Sequence, residues 1–81
     1  MSKIVELMAD RIRELCQERG LTPNGFSYIA GVPQATIKSI LNGETKSPEV
    51  ITIKKLCDGF GITLAQFFDT DAFNNLEQEI K

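Results

Sequence analysis

The sequence predicts an all-α domain of five helices, with room for one more short helix at its C-terminal end. Three observations carry this expectation. Nearly every segment repeats its apolar residues at helical spacing. The segments are separated by glycines and by Thr-Pro or Val-Pro junctions, which are helix stop and start signals. Hydrophobic residues make up 42% of the 81 positions, enough for one small core but not for a second folded unit.

The first helix is expected from Ser2 or Lys3 to Arg19, with Ile4, Val5, Met8, Ile12 and Leu15 at helical spacing and charged residues between them. Gly20 stops it, and Leu21 re-enters the core. Thr22 and Pro23 open the second helix as N-cap and first helical residue. Its inner side is read as Phe26, Ile29 and Ala30, and Gly31 ends it in a left-handed conformation. Val32-Pro33 makes a tight connection to a third helix, which starts at Pro33 or Gln34 and ends at Asn42-Gly43. The loop Glu44-Thr45-Lys46-Ser47-Pro48 follows. The fourth helix is expected over Glu49 to Gly59, with Val50, Ile53, Leu56, Cys57 and Phe60 inward and Gly61 as its stop. Thr63 caps a short fifth helix, Leu64 to Phe68. From Asp71 onward, Phe73, Leu76 and Ile80 fall on one face of a sixth helix. Residues 1–69 are thus read as the domain, and 70–81 as an extension that forms a helix or a dimer contact.

Composition excludes several functions. No stretch approaches the roughly 20 apolar residues of a membrane span, and MSKIVELMAD lacks the pattern of a signal peptide. The expected location is the cytoplasm, without a membrane partner. There is no histidine and no Cys-x-x-Cys pair, so no metal is expected. Cys16 and Cys57 lie in apolar helical patterns and read as small core residues. With no nucleophile motif and no glycine-rich phosphate loop, neither a cofactor nor an enzymatic activity is expected. Glu14 and Glu18 read as solvated neighbours of Arg11 and Arg19. The net charge is −2, but it is unevenly spread. Residues 33–55 carry Lys38, Lys46, Lys54 and Lys55 against Glu44 and Glu49, while Asp58, Asp69, Asp71, Glu77 and Glu79 crowd the C-terminal end. A locally basic face is compatible with the acidic total.

Helices two and three read as a helix-turn-helix. Two helices joined this tightly need a small residue where they cross, a glycine at the turn and apolar residues at fixed offsets. The chain supplies Ser27, Gly31, and Val32 with Ile37 and Ile40. On a wheel of about 100° per residue, Ile37, Ile40 and Leu41 define the buried side of helix three. Ala35, Lys38, Ser39 and Asn42 fall on the other side, with Gln34 at the helix start. That face is small, polar and basic, with no acid. Such chemistry suits a helix in the DNA major groove, where a glutamine pairs bidentately with adenine. In the following loop, Asn42, Gly43, Thr45 and Lys46 offer backbone N–H groups, a hydroxyl and an ammonium to phosphates.

At this point the chain resembles a known family. Leu21-Thr22, Phe26-Ser27, Gly31-Val32, Thr36-Ile37, Ile40, Asn42-Gly43 and Pro48 look like the Cro/repressor-type helix-turn-helix, the xenobiotic-response-element family. Arg11 to Leu15 and Glu18 to Leu21 match its first helix, while Thr52 to Cys57, Gly61 to Leu64 and Phe67-Phe68 match its last two. The likeness covers about residues 3–69 and is nearest to short regulators made of this domain alone. It implies a five-helix, lambda-repressor-like DNA-binding domain, often a homodimer on two-fold-symmetric operators. Carried over residue by residue, it implies Gln34, Ala35, Lys38 and Ser39 as base readers and Asn42, Thr45 and Lys46 as phosphate contacts. The sequence departs from the family's pattern at three places. Pro23 replaces a phosphate-gripping glutamine, with Thr22, Asn24 and Tyr28 nearby as substitutes. Pro33 replaces a serine or threonine cap. Cys16 and Leu41 replace a paired arginine and glutamate, and are expected to meet in the core.

The leading expectation is a sequence-specific regulator of double-stranded DNA, a dimeric repressor, with Ile51, Phe73, Leu76 and Ile80 as dimer candidates. The alternative is a protein-interaction module that keeps the fold with weak or no DNA binding.

Overall fold

The computed structural model describes residues 3–80, so Ser2 as a helix start lies outside the described residues. Those residues form six helices and no strand: α1 (Lys3–Glu18), α2 (Pro23–Ala30), α3 (Gln34–Leu41), α4 (Val50–Phe60), α5 (Leu64–Phe68) and α6 (Asp71–Asn74). The helix starts follow the side-chain chemistry. Thr22 accepts from the Gly25 N–H at the head of α2, and Thr63 forms a reciprocal capping box with Gln66 at the head of α5.

One core holds the helices together. Ile12, Phe26, Ile37, Ile40, Leu56, Cys57 and Phe67 are fully buried in it. Cys16 belongs to this cluster and the half-buried Leu41 packs against it, on helices that pack against each other. Burial pushes both thiols above the ordinary cysteine value, with Asp58 raising Cys57 further. They remain neutral thiols, as core residues should.

Two apolar residues stand differently from the sequence expectation. Ile29 is 56% exposed and Val50 75% exposed, although both were expected inward. On α2 the buried side is Phe26 and Ser27, with Ala30 packed against the core, and Ile29 lies about 200° around the helix from Ser27. Val50 is the first residue of α4 and projects beyond the core that Ile53, Leu56 and Phe60 fill. The extended C-terminal helix is also corrected. α6 is a single turn, closed by Asn75, whose N–H bonds back to Asp71 and Phe73. Asn74 and Asn75 are poor helix formers, so the face shared by Phe73, Leu76 and Ile80 does not form.

All three arginines, Arg11 and Arg13 in α1 and Arg19 just past its end, close the C-terminal end of another helix. Arg11 donates to the carbonyls of Phe67 (2.8 Å) and Gln66 (2.9 Å) in α5, and pairs with Glu14. Arg13 donates to the Leu41 carbonyl of α3 at 2.6 Å. Arg19 donates to the Phe60 carbonyl of α4 at 3.2 Å, lies over the Phe60 ring and pairs with Glu18. Helix ends leave carbonyls unsatisfied and partially negative, so a guanidinium there supplies both donors and charge. Arg11 is the most enclosed of the three, its side chain 14% exposed. Arg11→Met should therefore cost about 1–2 kcal/mol, read from urea unfolding. Arg11→Lys should recover only part of that, since one ammonium nitrogen cannot reproduce the planar fork by which Nε and Nη2 each meet a carbonyl. Unchanged stability in Arg11→Met would mean that α5 holds without this clamp.

Candidate nucleic-acid interface

The turn between α2 and α3 is set by local chemistry. Gly31 adopts φ +67°, a left-handed conformation that a side chain would strain, and its N–H returns to the Ser27 carbonyl. Val32 donates to the same carbonyl at 3.1 Å and is buried. Pro33 then enters α3 with no side-chain cap. Ile37 and Ile40 anchor α3 in the core.

This anchoring leaves Gln34, Ala35 and Lys38 exposed along one side of α3. Ser39, grouped with them by sequence, is half-buried, and its carbonyl accepts from the N–H groups of Glu44 and Thr45. Asn42 and Lys46 are exposed after the helix. Thr45 is half-buried in a cleft of about 230 Å³ between α3 and the start of α4, with Thr36, Ser47 and Thr52.

The loop's backbone differs from the expectation that it offers free N–H groups. Asn42 donates to Lys38, Gly43 to Ile40 and Thr45 to Ser39. These donors close the open carbonyls at the end of α3, a demand local to every helix terminus. What remains outward is the side chains of Asn42 and Lys46.

At the head of α2, Thr22 and Asn24 are exposed. The Thr22 oxygen already accepts from Gly25, yet its O–H remains able to donate. Tyr28 is 79% exposed, and its hydroxyl accepts from Gln34 Nε2 at 3.3 Å, across the turn. Sequence reasoning placed both residues at the interface but missed this pairing, because it links positions six apart through a turn rather than along one helix.

The charge of the face comes from lysines. Arg11, Arg13 and Arg19 are occupied at helix ends, and Lys54 is paired with Asp58 one turn along α4. Among the described residues, no ion pair engages Lys38, Lys46 or Lys55. Glu44 and Glu49 are exposed close by in sequence.

The dimer candidates are scattered in character. Ile51 and Ile80 are 58% and 89% exposed. Leu76 is half-buried and lines a groove with Ile4 and Ala72. Phe73 packs inward, its ring edge-on to Phe68 at 5.0 Å and tilted against Phe67 at 6.3 Å.

A helical domain with this turn and this exposed third helix is a helix-turn-helix DNA-binding domain. The chain belongs to the Cro/C1-type HTH DNA-binding domain family, which matches residues 11–72. It is similar to two curated proteins of Bacillus subtilis (strain 168). It is 38% identical over 58 residues to the HTH-type transcriptional repressor RghR, covering 72% of this chain and 43% of RghR. To the uncharacterized HTH-type transcriptional regulator RghRB it is 44% identical over 46 residues, covering 57% of this chain and 33% of RghRB. The chain thus spans less than half the length of either relative. Among solved structures it is similar to the prophage Lp1 protein 11, with a TM-score of 0.81 and 32% identity over 94% of this chain and all of that one.

Proposed function

We propose that this chain is a sequence-specific regulator of transcription that binds double-stranded DNA, acting as a repressor and as a homodimer on a two-fold-symmetric operator. The observation that carries the reading is the exposed side of α3, where Gln34, Ala35 and Lys38 stand clear of the core with no acidic residue among them. In this reading α3 enters the major groove. Gln34, Ala35, Lys38 and Ser39 face base edges, while Thr22, Asn24, Tyr28, Asn42, Thr45 and Lys46 lie toward phosphates. Thr22 replaces, with its free O–H, part of the grip that Pro23 cannot give. A repressor role follows the likeness to RghR. Ile51, Leu76 and Ile80 are the candidates for the dimer surface, Phe73 being engaged with its own domain's phenylalanines.

Selection of bound sequences from random DNA at two salt concentrations tests this. A palindromic motif is the expected result, with half-sites about one helical turn apart. Gln34→Ala should relax preference at one base position and cost about 1–3 kcal/mol on the selected site. Lys46→Gln should weaken binding to all sequences alike and reduce the salt slope by about 1. Unaltered binding in both variants would remove α3 from the groove.

A second reading, a protein-interaction module with little DNA affinity, is favoured by the exposed Ile29, Val50 and Ile51 together with the locking of all three arginines into helix ends. It predicts no enriched motif and partner binding nearly independent of salt.

A further inference from the structure

We propose that Tyr28 determines specificity through Gln34: its hydroxyl sets the orientation of the Gln34 carboxamide, and thereby makes that side chain a reader of adenine over guanine. The inference rests on the reading that α3 lies in the major groove.

Tyr28 has no task in the core. It is 79% exposed, and no aromatic pair among the described residues includes its ring. Among the described residues, the one polar contact of its side chain is with Gln34, whose Nε2 donates to the phenol oxygen at 3.3 Å. The turn between them is held by two N–H bonds to the Ser27 carbonyl and by the fixed φ of Pro33, so the two side chains are brought together by rigid backbone.

A glutamine carboxamide carries an acceptor on one side and two donors on the other, and rotation by a half-turn exchanges them. Unrestrained, it meets adenine with both groups or guanine with its NH2 alone. A phenol both donates and accepts, so the Tyr28–Gln34 pair by itself allows either orientation. A neighbouring DNA phosphate removes that freedom. Phosphate oxygens only accept, so the Tyr28 O–H turns to the phosphate. Its lone pair is then left to accept from Gln34 Nε2, the arrangement that the structure holds. The second Nε2–H and Oε1 project into the groove as a donor beside an acceptor. That pattern complements adenine, which presents the N7 acceptor beside the N6 donor. Against guanine, Oε1 meets O6, acceptor on acceptor. Tyr28 thus links a phosphate contact, which carries no sequence information, to the choice of base.

The test uses the site that the full chain selects from random DNA. Gln34→Ala first identifies the base pair that Gln34 reads. Affinities of the unaltered chain, Tyr28→Phe, Gln34→Ala and the double variant are then measured on that site and on its adenine-to-guanine counterpart, with unfolding curves for each. Tyr28→Phe removes one exposed hydroxyl and should unfold like the unaltered chain. Its preference for adenine over guanine should fall by about tenfold, the worth of orienting one bidentate contact. In the Gln34→Ala background, Tyr28→Phe should leave the ratio unchanged. An unaltered adenine preference in Tyr28→Phe overturns the proposal. So does an equal loss on both sites, which would make Tyr28 a phosphate contact alone, and so does the same change of ratio with and without Gln34. If the unaltered chain selects no sequence, the DNA reading itself has failed and the inference falls with it. The first selection separates that failure from the others.

Discussion

Phe26→Ala is expected to cost about 3–5 kcal/mol and to leave much of the chain unfolded, since a domain of this size holds only about 4–12 kcal/mol in total. Phe26 is fully buried on α2, and its ring stacks on Phe60 of α4 with centroids 3.8 Å apart and planes 11° from parallel. Arg19, which directly follows α1, lies over the Phe60 ring with its guanidinium 5.4 Å from the ring centre and donates to the Phe60 carbonyl. One stack therefore ties α1, α2 and α4 together. Truncating Phe26 removes a large apolar area and leaves a cavity between α2 and the Phe60 ring of α4. α2 carries Tyr28 and the turn that aims α3, so DNA affinity should fall with the folded fraction. Urea unfolding and circular dichroism at 25 °C measure the first effect, and titration with the selected site measures the second. Phe26→Leu should lose much less, because most of the volume is retained. A loss below about 1 kcal/mol in Phe26→Ala would show that the cavity collapses and that the stack is not central.

The helix-turn-helix was legible because its signals are local. Thr22 finds its partner three residues on, and Gly31 and Val32 both return to Ser27. Side chains that act within one turn leave a pattern that sequence spacing can carry. The buried side of α3 was legible for the same reason, with Ile37 and Ile40 anchored as expected. The arginine clamps were not legible. Arg11 reaches backbone carbonyls 55 and 56 residues away, and a carbonyl belongs to every residue type, so no partner identity marks it. Ile29 and Val50 were misplaced because an eight-residue helix and a helix's first residue define a face poorly. There the turn geometry and the edge of the core decide. At the interface, the residue types were readable from the exposed side of α3. The loop's engaged N–H groups and the Tyr28–Gln34 bond were not, since both depend on how two segments meet in space.

Gly59→Val is expected to cost about 3 kcal/mol or more, and Gly59→Ala about 1–3 kcal/mol, against the direction that helix propensity alone gives. Gly59 lies within α4, where replacing an exposed glycine by alanine normally stabilises by about 1 kcal/mol. Here a Cβ at Gly59 would stand 2.9 Å from Phe26 Cε1 and 3.1 Å from both Cα and Cβ of Ala30. Neither neighbour can yield. The Phe26 ring is held against Phe60, and Ala30 meets the methyl with its backbone at the last residue of α2, immediately before the Gly31 turn. Relief must come from moving α2 away from α4, and the Ala30–Gly31 junction would move with it. That junction aims α3, so the variant should disturb DNA binding as well as stability, although Gly59 is not among the residues placed toward DNA. Valine brings two further methyls into the same space and adds a β-branched side chain to the helix. The urea midpoint of Gly59→Ala decides the matter through its sign. A lower midpoint means that the close approach of α2 and α4 governs this position. A higher one means that the helices separate at little cost and that propensity wins.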